Sequence, residues 1–334
     1  RIAMAMTNAP TYLEILFGTW YAGLAAVPMN AKLHAREFAY ILENSGSRVC
    51  FATADILDTI SSIASEAPGV EHWFEVGGSE YEKLFNYEAL EPVNSSPDDL
   101  AWLFYTSGTT GKPKGAMLTH RNLIAATVNY FSDVDQISTG DSIIHAAPMS
   151  HGSGLYILPH VAKGACQVVP ESNGFEADEV FRLLGDHRQV TLFFAPTMVT
   201  RLIDAPSHGD ADLTNLKTIV YGGGPMYVKD CLRALDALGP KLVQIYGQGE
   251  SPMTITCLPR SAHSDTGHPR YLDRLASVGT AFTGVDVRVA SSDGHPLATN
   301  TVGEILVRGD PVMAGYWNNL AASNETLNGG WLHT

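Results

Sequence analysis

The 334-residue chain has room for one large domain or two ordinary ones, and 45% hydrophobic against 17% charged residues fill real cores rather than a tail or linker. Asp and Glu outnumber Lys and Arg 35 to 21, a net charge of −14, which excludes broad binding to nucleic acid or to an anionic membrane, since both need basic surface. Four scattered cysteines, Cys50, Cys166, Cys231 and Cys257, show no paired spacing, so a disulfide framework and a zinc site are set aside in favour of buried thiols in a reducing compartment, the cytoplasm.

From the first residue to about Gly247, short apolar runs alternate with helix-length amphipathic segments, the pattern of an α/β fold with mostly parallel strands and crossover helices. Strands are predicted at residues 2–6, 48–52, 100–106, 142–145, 167–169, 190–194, 218–221 and 242–246, and helices at 11–22, 36–44, 121–131, 178–185 and 226–238. The longest uncharged run, residues 15–31, is interrupted by Gly18, Gly23 and Pro28. It is hardly long enough to span a bilayer and reads as helix, turn and buried strand, with no transmembrane segment expected. No signal peptide is evident, and the chain opens on "RIAMAM" without an initiator Met. The stretch "EALEPVNSSPDD", residues 88–99, reads as a linker. After about Pro259 the texture changes to short β-rich pieces with little helix. The expected division is a first α/β lobe over residues 1–98, a second over 99–259 and a smaller β-rich subdomain over 260–334.

Near the start of the second lobe lies "YTSGTTGKPKG". A buried strand ends at Thr106, and Ser107, Gly108, Thr109, Thr110, Gly111, Lys112, Pro113, Lys114 and Gly115 follow. Glycines let backbone N–H groups converge, hydroxyls add donors and lysines supply charge, a set suited to phosphate oxygens. No carboxylate interrupts the run. A Walker loop needs glycine five positions after the first, where Pro113 stands counting from Gly108. Further on, residues 222–224 form a glycine triplet after the strand "TIVY", but the third position of a dinucleotide fingerprint would be Tyr227. Ser150 and Ser153 flank His151, yet neither has the glycines of a nucleophile elbow. Taken singly, His151 reads as a structural histidine, Tyr246 as a core-edge aromatic and Glu250 as a solvated carboxylate.

The run "YTSGTTGKPKG", followed in order by "APMSHGSG", "VYGGGP", "QIYGQGE", "VGEILVRG", "MAGYWNN" and "GWLHT", strongly resembles the adenylate-forming superfamily: acyl- and aryl-CoA synthetases, luciferases and the adenylation domains of peptide synthetases. The resemblance covers nearly the whole chain and implies the large N-terminal domain of such an enzyme. It implies that Thr106, Ser107, Gly108, Thr109, Thr110, Gly111, Lys112 and Lys114 hold the phosphates of ATP. Gly222, Gly223, Gly224 and Pro225, with Tyr246, Gly247, Gln248 and Gly249, would hold the adenine and its surroundings. His151 would orient the acid, and Glu250 would hold Mg2+. Catalytic roles thus fall to His151, Lys114 and Glu250. Gly249 stands where the family usually has threonine.

The implied reaction is attack of a carboxylate on the α-phosphorus of MgATP, then transfer of the acyl group to a thiol, most naturally that of coenzyme A. Apolar Phe193, Phe194 and Met253 favour a fatty or other hydrophobic acid, with an aryl acid second. An acyl-AMP ligase serving a carrier protein, and a nucleotide-binding chain without catalysis, stay open as alternatives. Partners are therefore small molecules, with a homodimer admitted and nucleic acid not expected. The family pattern continues beyond "GWLHT" with Gly-Asp, a hinge and a small domain carrying a catalytic lysine, so residues 1–334 alone are expected to bind nucleotide weakly and adenylate poorly.

Overall fold

The computed structural model describes residues 1–106 and 111–334. Strand Ile2–Met6 is buried along its whole length. Its alternate residues feed two different cores: Met4 and Met6 pack with Trp102 and Phe104 on one face, and Ala3 and Ala5 pack with Phe38 and Ile41 on the other. A strand covered on both faces reads as an unbroken apolar run, which is why its ends coincide with those expected from sequence.

The first sheet has the order His72–Glu75, Val49–Ala52, Ile2–Met6, Ala26–Asn30, Leu100–Thr106, Lys114–Thr119. All pairings are parallel except the last, where Thr106 lies opposite Lys114. The expected boundary at residue 98 is therefore not a sheet boundary: the strand after the linker returns to the first sheet. Residues 88–99 lack regular structure and are mostly exposed, as the linker composition leads one to expect.

The second sheet runs Thr280–Ala281, Ser251–Leu258, Leu242–Gln248, Leu216–Tyr221, Val190–Phe194, Ser142–Ile144, Cys166–Val168. Its five strands from Leu242–Gln248 onward are parallel to their neighbours, whereas Ser251–Leu258 and Thr280–Ala281 add antiparallel pairs. Residues 260–281 thus remain with the second lobe and include helices Arg260–Ser264 and Tyr271–Leu275. The β-rich subdomain is narrower than expected, a four-stranded sheet of Asp286–Ala290, Glu304–Arg308, Trp331–His333 and Leu327–Asn328.

One core joins the lobes. Phe193, Val220, Val243 and Ile245 of the second sheet pack in the same cluster as Met4, Met6, Trp102 and Phe104 of the first. Phe194 points to the opposite face, packing with Val180, Val199 and Tyr221. Successive strand residues face opposite sides, so Phe194 cannot share a pocket with Phe193, and its expected place beside the acid is corrected. Cys50, Cys231 and Cys257 are buried thiols, but Cys166 is exposed, because it opens a strand at the sheet's edge. No helix of the described residues is long and apolar enough to cross a membrane.

Candidate active site

The C-terminal ends of the parallel strands meet along one edge of the shared core, where α/β folds commonly bind ligands. Thr106 ends its strand there, residues 222–224 follow Leu216–Tyr221, and Tyr246, Gly247 and Gln248 finish Leu242–Gln248. His151 comes from the loop after Ser142–Ile144. Ser107, Gly108, Thr109 and Thr110 lie outside the described residues.

Glu250 is the centre of the arrangement. Only 8% of it is exposed, so it is not a solvated surface carboxylate. Its Oε1 accepts from the Tyr316 hydroxyl at 2.7 Å and from Thr106 Oγ1 at 3.1 Å. Lys114 Nζ stands 4.4 Å from the Tyr316 ring centre, a cation–π contact, and Lys114 faces Thr106 across the strand pair. Four residues from three remote segments therefore surround one point. Lys112 departs from this group and lies over the Tyr40 ring at 5.5 Å. Neither lysine forms an ion pair among the described residues.

Tyr316 carries no signal of a role in its local sequence, and its location depends on distant anchors. The segment carrying it crosses the strand Lys114–Thr119: Met117 N–H donates to Gly315 O, Trp317 N–H to Gly115 O, and Met313 N–H to Glu250 O, each at 2.8 Å. Asn122 Nδ2 holds the approach by donating to Asp310 O and Val312 O at 2.7 and 2.8 Å. Gly315 has φ +135°, backbone that L side chains rarely adopt. Burial and the neighbouring Glu250 carboxylate raise the Tyr316 pKa, so its hydroxyl keeps its proton and donates.

Gly249 now has a physical reason. A Cβ there would sit 2.3 Å from Thr106 Cγ2 and 2.7 Å from Phe104 Cδ1. The threonine expected from the resemblance would collide with the residue that bonds Glu250. Gly222 is similarly constrained, with Ile245 O 2.6 Å from its would-be Cβ. Gly223 has φ +77° with open space around it, and Gly224 is nearly as free. This leaves bare backbone beside the end of the Tyr246 strand, with Pro225 following.

His151 is half-buried, edge-on to Phe104 at 5.5 Å, with Nδ1 3.0 Å from Ser150 Oγ. Burial lowers its pKa, favouring the neutral ring. Its loop is clamped from the other lobe by Asn8, another residue without a sequence signal. Asn8 Nδ2 donates to His145 O and Ala147 O at 2.8 and 2.9 Å, and Oδ1 accepts from Met149 N–H at 2.8 Å. Beside His151 a cavity of about 480 Å³ is bounded by Phe104, Thr106, Gly223, Gly249, Met29 and Leu33.

As a cation ligand, Glu250 offers its second oxygen, which has no protein partner among the described residues. No group of three or more His, Cys, Asp or Glu side chains is assembled among the described residues. The free Glu250 oxygen is the kind of donor a hard cation such as Mg2+ takes, one or two carboxylates together with waters and substrate phosphates.

The family model for AMP-binding enzymes matches residues 1–317. The chain is 33% identical over 336 residues to a feruloyl-CoA synthase of Amycolatopsis sp, covering 100% of this chain and 65% of the relative. It is 30% identical to the fatty acid–[acyl-carrier-protein] ligase ScoC of Streptomyces coeruleorubidus, covering 100% and 64%. Among solved structures, the N-terminal domain of FACL13 from Mycobacterium tuberculosis superposes with a TM-score of 0.88 at 26% identity, over 100% of this chain and 82% of that one. The chain thus spans about two thirds of the length of these curated relatives.

Proposed function

Because the chain belongs to the AMP-binding enzyme family, we propose that it activates a hydrophobic carboxylic acid with ATP, forming an acyl-adenylate that passes to coenzyme A with release of AMP and pyrophosphate. The observation that carries this reading is the joint of Thr106, Lys114, Glu250 and Tyr316 beside the cavity at His151. A bound Mg2+ would neutralise phosphate charge. Glu250 would hold it through the oxygen that Thr106 and Tyr316 leave free. Lys114, fixed over Tyr316, would meet the negative charge that grows as the carboxylate attacks the α-phosphorus, and such preset charge costs no reorganisation during reaction. His151 would position the acid and not deprotonate it, since a carboxylic acid is already ionised near neutral pH. Bare backbone at residues 222–224 beside Tyr246 suits a flat purine.

The acid is fatty or aryl in this proposal. Phe193 and Met253 remain beside His151 through Gly152, whereas Phe194 contributes nothing to the pocket. The likeness to an acyl-carrier-protein ligase supports a second acceptor, a carrier-bound thiol.

The test supplies the full-length protein with ATP, Mg2+, coenzyme A or a carrier protein, and a panel of fatty and aryl acids. AMP should appear in step with thioester. Release of ADP in place of AMP would overturn the chemistry.

A further inference from the structure

Behind His151 the packing leads inward along a row of rings. A Cβ on Gly152 would fall 2.2 Å from Met253 Cε and 2.3 Å from Phe193 Cε1, so those two side chains close directly on the loop backbone. The Phe193 ring meets Tyr156 at 5.3 Å, Tyr156 meets Tyr130 at 5.2 Å, and Tyr130 meets His160 at 5.5 Å.

Three polar atoms on this row have no partner: the Tyr130 and Tyr156 hydroxyls and His160 Nε2. Their residues are 1%, 4% and 0% exposed, and the last two lie on one helical stretch. Buried polar atoms are nearly always paired, and an unpaired one is costly. Their chemistry is also defined. His160 Nδ1 lies 2.8 Å from the Tyr156 carbonyl oxygen, which only accepts, so Nδ1 carries the hydrogen. Burial keeps the ring neutral. Nε2 is therefore a bare acceptor, and the phenol four residues earlier on the same helical stretch can donate.

Two backbone irregularities adjoin the row. The helix His120–Asn129 gives way to a π-helical turn, Tyr130–Val134, a form frequent at functional sites. Met253 holds φ +64°, strained for a non-glycine residue. Its unbranched side chain can swing aside more easily than a branched one.

Resting on the acid-activating reading above, we infer that the acid pocket extends past Phe193 and Met253 to a polar end formed by Tyr156 and His160, which selects acids bearing a hydroxyl group remote from the carboxylate. Such a hydroxyl donates to Nε2 and accepts from Tyr156, satisfying both. A keto or ether oxygen meets only the phenol, and a methyl terminus leaves both atoms unpaired. A second charge would be buried without a counter-ion.

The experiment compares matched acids, 4-hydroxycinnamate with cinnamate and 10-hydroxydecanoate with decanoate, by kcat/KM for AMP release from the full-length protein. The wild type favours one or both hydroxylated members by tenfold or more. Tyr156→Phe reduces that preference about tenfold, through a raised KM for the hydroxylated member. His160→Gln reduces it in the same direction. Tyr156→Phe removes an unpaired hydroxyl and keeps the ring, so an unchanged or higher melting temperature separates lost selectivity from misfolding. Turnover with a wild-type ratio near one in both pairs, or a ratio untouched by Tyr156→Phe, overturns the polar end alone. AMP from no acid at all overturns the acid-activating reading and this inference with it.

Discussion

Two buried polar groupings flank His151, and they are built on opposite terms. At the rim, Glu250 is held by Tyr316 and Thr106, and Lys114 lies against the Tyr316 ring. In the interior, Tyr156 and His160 each leave a polar atom unpaired. The same contrast separates two histidines of one lobe. His145 is fully satisfied, Nε2 at 2.9 Å from Gln167 Oε1 and Nδ1 at 2.7 Å from Ser153 Oγ, whereas His160 bonds through Nδ1 only. A satisfied grouping fixes geometry, because any motion breaks bonds. An unsatisfied one stores a cost that a ligand with matching chemistry can recover. The rim is thus suited to holding charge in place and the interior to choosing an occupant.

Acid should produce the largest effect. Burial lowers the pKa of His145 to about 4 and of His160 to about 3, from an ordinary 6.5. Both depressed values mean that below pH 6.5 the unfolded chain binds protons that the folded chain refuses, so stability is full above that pH and falls as pH drops toward 4. At pH 5 each histidine accounts for about 2 kcal/mol, roughly 4 kcal/mol together. His145 and Lys217 also face His160 and lower its pKa further, while the Tyr156 carbonyl and Asp141 raise it. Urea unfolding between pH 7 and 5 reads the slope. His160→Gln should flatten it measurably, with the remainder carried by His145 and the other histidines whose pKa burial lowers, His151 among them. A slope unchanged by that substitution would mean that the interior histidine is already protonated or exposed, and the contrast with His145 would fail.

Next in size is the rim's charge. Glu250→Gln keeps an oxygen to accept from Tyr316 and Thr106 but removes the free carboxylate oxygen. The gain in ATP affinity on adding Mg2+ should fall about 100-fold, measured by calorimetry with and without the cation, while the unliganded melting temperature hardly moves. An undiminished Mg2+ effect would show that Glu250 is a structural acid.

Much of the scaffold behind both groupings was legible in the residues. Strands 2–6 and 190–194 coincide with expectation to the residue because both faces are buried and no alternation blurs their ends. Lys114–Thr119 and Ser251–Leu258 escaped notice. The first directly follows a glycine-rich loop, and the second contains Pro252 near its start and Met253 in a left-handed conformation. The candidate site is legible where it is local: Thr106, residues 222–224 and Glu250 lie at strand ends and His151 in a loop, all within short motifs. Its remaining parts are tertiary. Tyr316 stands 66 residues from Glu250, and Asn8 clamps a loop some 140 residues away, so no window of sequence contains either partnership. Phe194 failed for the opposite reason: adjacency to Phe193 in sequence implies separation across a strand.

The smallest effect gives the most direct comparison of the two groupings, because one chemical change can be made in both. Tyr316→Phe and Tyr156→Phe each delete a single phenolic oxygen from a buried ring. At the rim the deletion breaks the 2.7 Å bond to Glu250 but leaves Thr106 bonded and Lys114 over the ring, so the unliganded protein should lose about 1 kcal/mol. In the interior no bond is lost, and removing an unpaired hydroxyl should leave stability unchanged or slightly raised. Differential scanning calorimetry on the two variants decides the matter by sign as much as by size. If both melt lower by the same amount, the Tyr156 hydroxyl has a hidden partner and the interior is as satisfied as the rim; if neither moves, the Tyr316 bond contributes nothing and Glu250 is held by Thr106 alone.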